Sequence, residues 1–267
     1  MTTGSDTPVA KAAIVTGSAT GIGAAVARAL ASRGWGVAIN YTRSGREARE
    51  TAAACRAASG KAVLCRADVA ADADCRRLVA TALEAFGRVD ALVNNAGTTK
   101  FVAAADMNGL DAADFERIFA VNVLGAFQMT RAARAALEAS GDGAVVNISS
   151  YSGMNGLGSS LAYAASKGAL NTLTKGLAHT LAPHVRVNAV CPGYADTRWA
   201  RVGLEDEAYE RFKSGLEATL PLGRMPLAED VAETVLWFLT AGRAVTGQLL
   251  VVDSGEHMAG GIAPGDG

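Results

Sequence analysis

The chain has 267 residues, half of them hydrophobic and 19% charged, which supplies a large core and excludes a disordered chain. Twenty-five Lys and Arg against 26 Asp and Glu leave a net charge of -1, without the basic excess that a nucleic-acid partner requires. Cys55, Cys65, Cys75 and Cys191 form no C-x-x-C pair, and with only His179, His184 and His257 beside them no metal site is expected, so they read as buried thiols of a cytoplasmic protein.

Residues 11–16 (KAAIVT) read as a short buried strand, followed by a glycine-rich turn and an Ala-rich helix over about 22–32. Strand 37–41, helix 45–58, strand 62–66, helix 72–86 and strand 91–95 repeat that order. A long helical stretch over 111–138 leads to strand 144–149, then helix 161–182 and strand 185–190. A polar stretch, helix 228–240 and strand 248–253 close the series. Seven strands alternating with helices predict one α/β domain, a Rossmann-type doubly wound parallel sheet with helices on both faces. Residues 1–8 and 257–267 read as loose tails, which leaves 9–256 as the domain. The longest charge-free stretch, 143–166, carries six Ser, four Gly and two Asn, and the first ten residues lack a basic segment followed by an apolar run. Neither a membrane span nor a secretory signal is expected.

Gly17, Gly21 and Gly23 lie in TGSATGIG between the first strand and first helix, where backbone N–H groups and the helix N-terminus can cradle a pyrophosphate. The Lys of a nucleoside-triphosphate loop is missing, which disfavours ATP hydrolysis. About 20 residues on, where an acid would hold an adenosine ribose, the chain reads Asn40-Tyr41-Thr42-Arg43. A carboxylate would repel a 2′-phosphate and a guanidinium would attract it, so this stretch favours NADP and leaves NAD possible.

Tyr163 and Lys167 are four residues apart on a helix, hence on one face, and Ser150 follows a buried strand at the sheet edge where such folds bind ligands. Together these motifs resemble a classical short-chain dehydrogenase/reductase over residues 10–255, with likeness to 3-oxoacyl-carrier-protein reductases. TGSATGIG is similar to the family's cofactor turn (Gly17, Ser18, Thr20, Gly21, Ile22 and Gly23), Asp68-Val69 to its adenine-contacting pair, and NNAG, with Asn95, Ala96 and Gly97, to its strand-four motif. Asn122, Ser150, Tyr163 and Lys167 resemble the active tetrad, while Pro192, Gly193 and Thr197 resemble the segment closing over nicotinamide. The resemblance implies NAD(P)-dependent interconversion of a ketone and a secondary alcohol. Tyr163 would act as general acid, its pKa lowered by Lys167, Ser150 would orient the carbonyl, and Asn122 would hold a water leading to Lys167. It also implies a homodimer or homotetramer.

Other assignments stay open at this point: a 3-oxoacyl-carrier-protein reductase, an NAD-dependent alcohol or sugar dehydrogenase, or a non-catalytic nucleotide-binding protein. Glu138, Asp142 and His179 stand where carrier-protein reductases tend to be basic. Residues 194–226, with Trp199, Tyr209, Phe212 and Leu216, read as a mobile substrate cover with Gly193 and Gly203 as hinges. Asn122 also reads as an amide filling a helix irregularity, Asp68 as a turn residue, Asn94 as a tie between strands, and Ser149 as bonded to backbone.

Overall fold

A computed structural model describes residues 9–58, 60–201 and 205–258. The expected hinge Gly203 and tail residues 1–8 and 259–267 lie outside the described residues. The strands are β1 (Ala12–Val15), β2 (Gly36–Tyr41), β3 (Ala62–Arg66), β4 (Ala91–Asn94), β5 (Gly143–Ile148), β6 (Val185–Pro192) and β7 (Leu249–Val252). The helices are α1 (Gly21–Ala31), α2 (Gly45–Ala57), α3 (Asp72–Phe86), α4 (Ala112–Phe119), α5 (Gly125–Ala139), α6 (Ser152–Asn155), α7 (Leu161–Leu181), α8 (Asp206–Glu217) and α9 (Ala228–Thr240). All seven strands pair in parallel in the order β3-β2-β1-β4-β5-β6-β7.

Strands covered on both faces need no polar alternation, which is why β1 is wholly apolar and β4 and β5 stay apolar up to Asn94 and Asn147 near their carboxyl ends. Their period of two still sorts the side chains. Ala13, Val15, Val37, Ile39, Val93 and Val146 pack with Val26 and Leu30 of α1, Ala52 of α2 and Val235 of α9. Ile14, Ala38, Leu92, Val145 and Val187 turn the other way, onto Leu78 of α3, Met129 of α5 and Leu181 of α7. Ile14 and Leu92 are fully buried, and truncating either to Ala would cost about 2–5 kcal/mol.

The chain departs from the sequence expectations in three places. The helical stretch over 111–138 is broken into α4, a π turn at Ala120–Leu124 and α5, and Asn122 sits in the π turn. The polar stretch before α9 contains α8, whose sole fully buried side chain is Tyr209. Residues 257 and 258, expected in the tail, belong to a 3-10 turn, Glu256–Met258, in which the His257 N–H donates to Asp253 Oδ2 at 2.7 Å. Sheet order reverses between β1 and β4, so the loops after them diverge and leave a crevice at the carboxyl ends of the strands. The loops after β1, β4, β5 and β6 surround it.

Candidate active site

The glycine turn is fixed by side chains from β2 and from the loop after β4, and by its own hydroxyls. The Asn40 amide, buried on β2, accepts from the Gly17 N–H at 3.0 Å and donates to the carbonyls of Cys65 and Ala67, at 3.3 and 2.9 Å. Asn95 Nδ2 donates to the carbonyls of Thr16 and Gly17, at 2.9 and 3.0 Å, while the Thr16 hydroxyl accepts from the Asn95 and Ala96 N–H groups. Ser18 is buried and its hydroxyl is spent inside the turn, donating to Val15 O and accepting from Asn40 N–H. Gly17 is required twice over: its φ is +60°, and a Cβ there would stand 2.9 Å from Ala96 Cα. A Cβ on Gly23 would lie 2.5 Å from Asn95 Nδ2.

Helix α1 begins above this turn with no acidic residue in its first turn and no side chain capping it from Thr20. Its leading N–H groups and positive dipole end are therefore available to an anion. Ile22 is partly buried against the core. Gly21, at φ +58°, faces Thr197, which a Cβ would meet at 3.9 Å. The segment after β6 thus lies across the glycine turn, a cradle whose shape and polarity fit the pyrophosphate of a dinucleotide.

Along the crevice, Thr42 and Arg43 are exposed at the end of β2, and among the described residues the Arg43 guanidinium has no hydrogen-bond or ion-pair partner. Tyr41 is half-buried beside Gly45. Asp68 Oδ1 accepts from the Ala70 N–H at 3.0 Å, a turn bond, while Val69 is buried where its side chain would meet a Cβ on Gly125 at 2.7 Å.

The four residues with catalytic resemblance converge at the other end. Ser150 follows β5, and its side chain lies close enough to the Tyr163 phenol to pull the phenol pKa down. Tyr163 and Lys167 share a face of α7, with Lys167 Nζ 5.5 Å from the Tyr163 ring centre. That ammonium donates to Ile148 O at 2.7 Å and is almost fully buried. Asn122 donates to Thr98 O and to the Ser166 hydroxyl, both at 3.0 Å, and accepts from the Thr98 N–H at 2.8 Å. A Cβ on Gly97 would lie 3.5 Å from Asn122 Oδ1 and 3.9 Å from Lys167 Nζ, so Gly97 keeps the space between them open.

Burial pushes the Tyr163 phenol up to about 12, against the pull of Ser150. The direction is opposite to the lowering expected from Lys167, because withdrawal from water is the largest influence on the phenol and Cys191 and Tyr194 add to it. Burial also brings the Lys167 ammonium down to about 8. Around neutral pH the phenol is protonated and the ammonium is mostly charged, the forms that suit proton donation.

Helix α7 can approach α6 because residue 153 is glycine; a Cβ there would stand 2.6 Å from the Lys167 backbone. Ser149 donates to Asn171 Oδ1 at 2.6 Å and to Lys167 O at 3.3 Å, so it braces α7. Asn94 ties β4 to β5 through Asn147 Oδ1 at 2.9 Å.

Of the expected cover residues, Trp199 tilts over Tyr163 with ring centres 5.9 Å apart, and Phe212 packs edge-on against Tyr194 at 5.4 Å. Tyr209 is instead fully buried, its hydroxyl donating to Asp196 Oδ1 at 2.8 Å, and Lys213 reaches the other oxygen at 2.7 Å. Asp196 therefore anchors the segment onto α8. Pro192 is buried and its carbonyl accepts from the Tyr151 N–H at 2.9 Å. The sequence did not mark Asn40 as a support for the glycine turn, nor Tyr151, Tyr194 and Glu256 around the segment that leaves β6. Their partners are far away in the chain, and no local motif marks them. Among the described residues there is no metal-binding cluster and no helix long and apolar enough to cross a membrane.

This parallel sheet, with a glycine turn at its switch point and a Ser–Tyr–Lys group facing it, defines a dinucleotide-dependent oxidoreductase. The family model described as short chain dehydrogenase matches residues 11–208, and the chain belongs to that family. It is 44% identical to a protein named as ketoacyl reductase 2 of the granaticin polyketide synthase of Streptomyces violaceoruber, over 95% of this chain and 98% of that one. It is 37% identical to cis-4-hydroxycyclohexanecarboxylate dehydrogenase of Sinomonas cyclohexanicum, covering 92% and 96% of the two chains. A crystal structure assigned to the short-chain dehydrogenase/reductases, from Burkholderia xenovorans, superimposes with a TM-score of 0.87 at 40% identity, over 96% of this chain and all of that one. The protein is an NAD(P)-dependent oxidoreductase.

Proposed function

We propose that the chain uses NADPH to reduce a ketone to a secondary alcohol, with Tyr163 as proton donor. The observation that carries this reading is the Ser150–Tyr163 hydroxyl pair beside the buried Lys167 ammonium, at the strand ends facing the glycine turn. Bound nicotinamide supplies a hydride to the carbonyl carbon. Ser150 and Tyr163 hold the carbonyl oxygen between two hydroxyls, and the phenolic proton passes to that oxygen as charge develops on it. The phenolate left behind would stand beside the Lys167 ammonium, whose Nζ lies 5.5 Å from the ring centre and whose charge favours it. Asn122 would hold a water on a path from Lys167 to solvent. Oxidation of an alcohol would reverse each transfer.

Arg43, Thr42 and Tyr41 would hold the adenosine end, with Arg43 on the 2′-phosphate, and Asp68 and Val69 would flank the adenine. Ser18, Thr20, Gly21 and Ile22 would line the pyrophosphate, and Asn95, Ala96 and Gly97 the ribose beyond it. Pro192, Gly193 and Thr197 would close over nicotinamide, with residues 194–226 as cover of a single domain. Phe115, Leu124 and Phe127 are partly exposed on α4, the π turn and α5, as are Trp237 and Leu250 on α9 and β7, surfaces that suit a homodimer or homotetramer in the cytoplasm. A carrier-bound 3-oxoacyl substrate is the second reading, favoured by likeness to the granaticin ketoacyl reductase. A ketone and alcohol panel assayed with NADPH and NADH tests the reading. Turnover of at least one ketone, faster with NADPH, is expected, and no turnover across the panel would refute it.

A further inference from the structure

We propose that Glu256 makes one wall of the substrate pocket electronegative, so that the pocket accepts an uncharged planar ketone bearing a hydroxyl donor and turns carboxylated ketones away. The inference rests on the reading of Tyr163 as the reacting group.

Glu256 lies in the turn after β7, and its Oε2 accepts from the Tyr194 N–H at 3.1 Å. Glycine at 193 permits that approach, since a Cβ there would stand 2.3 Å from the same oxygen. The carboxylate is thereby wedged against the segment leaving β6 at Gly193 and Tyr194. Tyr194 links it to Tyr163: Glu256 adds to the upward push that burial exerts on the Tyr194 phenol, and Tyr194 in turn adds to the push on Tyr163.

No cation answers Glu256 among the described residues. The neighbouring His257 is committed to Asp253, its Nδ1 lying 2.8 Å from Oδ2. Cations of the cover are engaged elsewhere: Arg198 with Glu47 at 3.5 Å, and Arg201 and Lys213 with Asp196 at 3.4 and 2.7 Å. Burial is the largest influence on the Glu256 carboxyl and pushes its pKa up; the Tyr194 N–H pulls it partly back and Asp253 adds to the push. The carboxylate therefore stands there at a free-energy cost that no cation among the described residues offsets. A donor on the ligand would relieve that cost, and an anion would add to it. The rest of the wall is aromatic. Trp199 lies against Tyr163, Phe212 against Tyr194, and Tyr151 meets His257 at 6.3 Å, surfaces on which a flat ring stacks.

Calorimetric binding of 4-hydroxyacetophenone and 4-acetylbenzoate to the NADP+-saturated enzyme at pH 7.5 tests this, because the ligands share ring and ketone and differ in hydroxyl against carboxylate. Wild type should prefer the phenol at least tenfold. Glu256→Gln, which keeps an acceptor for the Tyr194 N–H, should cut that preference at least fivefold with its melting curve preserved. Equal wild-type affinities, an undiminished preference in Glu256→Gln, or no binding of the phenol would overturn the inference. Selective binding without turnover of any ketone would support it and refute the ketone-reductase reading alone.

Discussion

Lys167 gives a stability prediction that needs no substrate. Its ammonium is 4% exposed and donates to Ile148 O, and burial brings its pKa from 10.5 to about 8. At about 1.36 kcal/mol per pH unit, that fall corresponds to about 3 kcal/mol of unfavourable free energy for keeping the charged form folded. Below pH 8 both folded and unfolded chains hold the proton, so the cost is constant. Between pH 8 and 10.5 the unfolded chain binds more protons than the folded one, and stability rises with pH. The Cys75 and Cys191 thiols, raised from 9.0 to about 11, and the Tyr163 phenol, raised from 10.0 to about 12, act with the opposite sign. They make stability fall above pH 9 and pH 10, so the Lys167 contribution is read against a variant that keeps all three. Lys167→Met removes the titration and loses the bond to Ile148 O at a cost that does not vary with pH. In urea denaturation at fixed protein concentration, wild type should gain about 2–3 kcal/mol relative to Lys167→Met between pH 7 and pH 10. A difference that stays flat over that range would refute the buried ammonium.

Arg43→Asp exchanges attraction for repulsion at the expected 2′-phosphate position, so calorimetry should show NADPH weakened at least tenfold more than NADH; equal losses would remove Arg43 from that role. Asn40→Ala deletes three bonds that join the glycine turn to β2 and the end of β3, and urea denaturation should show a loss of about 2–3 kcal/mol together with weaker cofactor binding. Phe127→Glu on the exposed face of α5 should reduce the assembly to a smaller species by light scattering at micromolar concentration, and a wild-type monomer would contradict the assembly itself.

The sheet was legible because each strand is a short, mostly apolar run between turns and helices, and its strand boundaries moved by no more than two residues, the largest shift being the extension of β6 to Pro192. Helix α8 was hidden by composition: DEAYERFKSGLE offers Tyr209, Phe212 and Leu216 at helical spacing among charges, and buries little beyond Tyr209. The π turn is invisible to periodicity because one widened turn barely disturbs a helical pattern, yet it places Asn122 between Thr98 and Ser166. The Tyr163 and Lys167 pairing follows from their spacing of four, whereas Asn40 with Gly17 and Glu256 with Tyr194 are contacts across 23 and 62 residues that only the folded sheet creates. The upward Tyr163 shift is likewise not legible in the sequence, since spacing reveals a neighbouring charge and says nothing about how deeply the phenol is withdrawn from water.

Proton donation by Tyr163 is tested by single-turnover reduction of an accepted ketone by enzyme-bound NADPH, compared between wild type and Tyr163→Phe. The variant should bind NADPH within about twofold of wild type by calorimetry and react slower by about 10² or more. Reduction at the wild-type rate with cofactor binding intact would contradict the account.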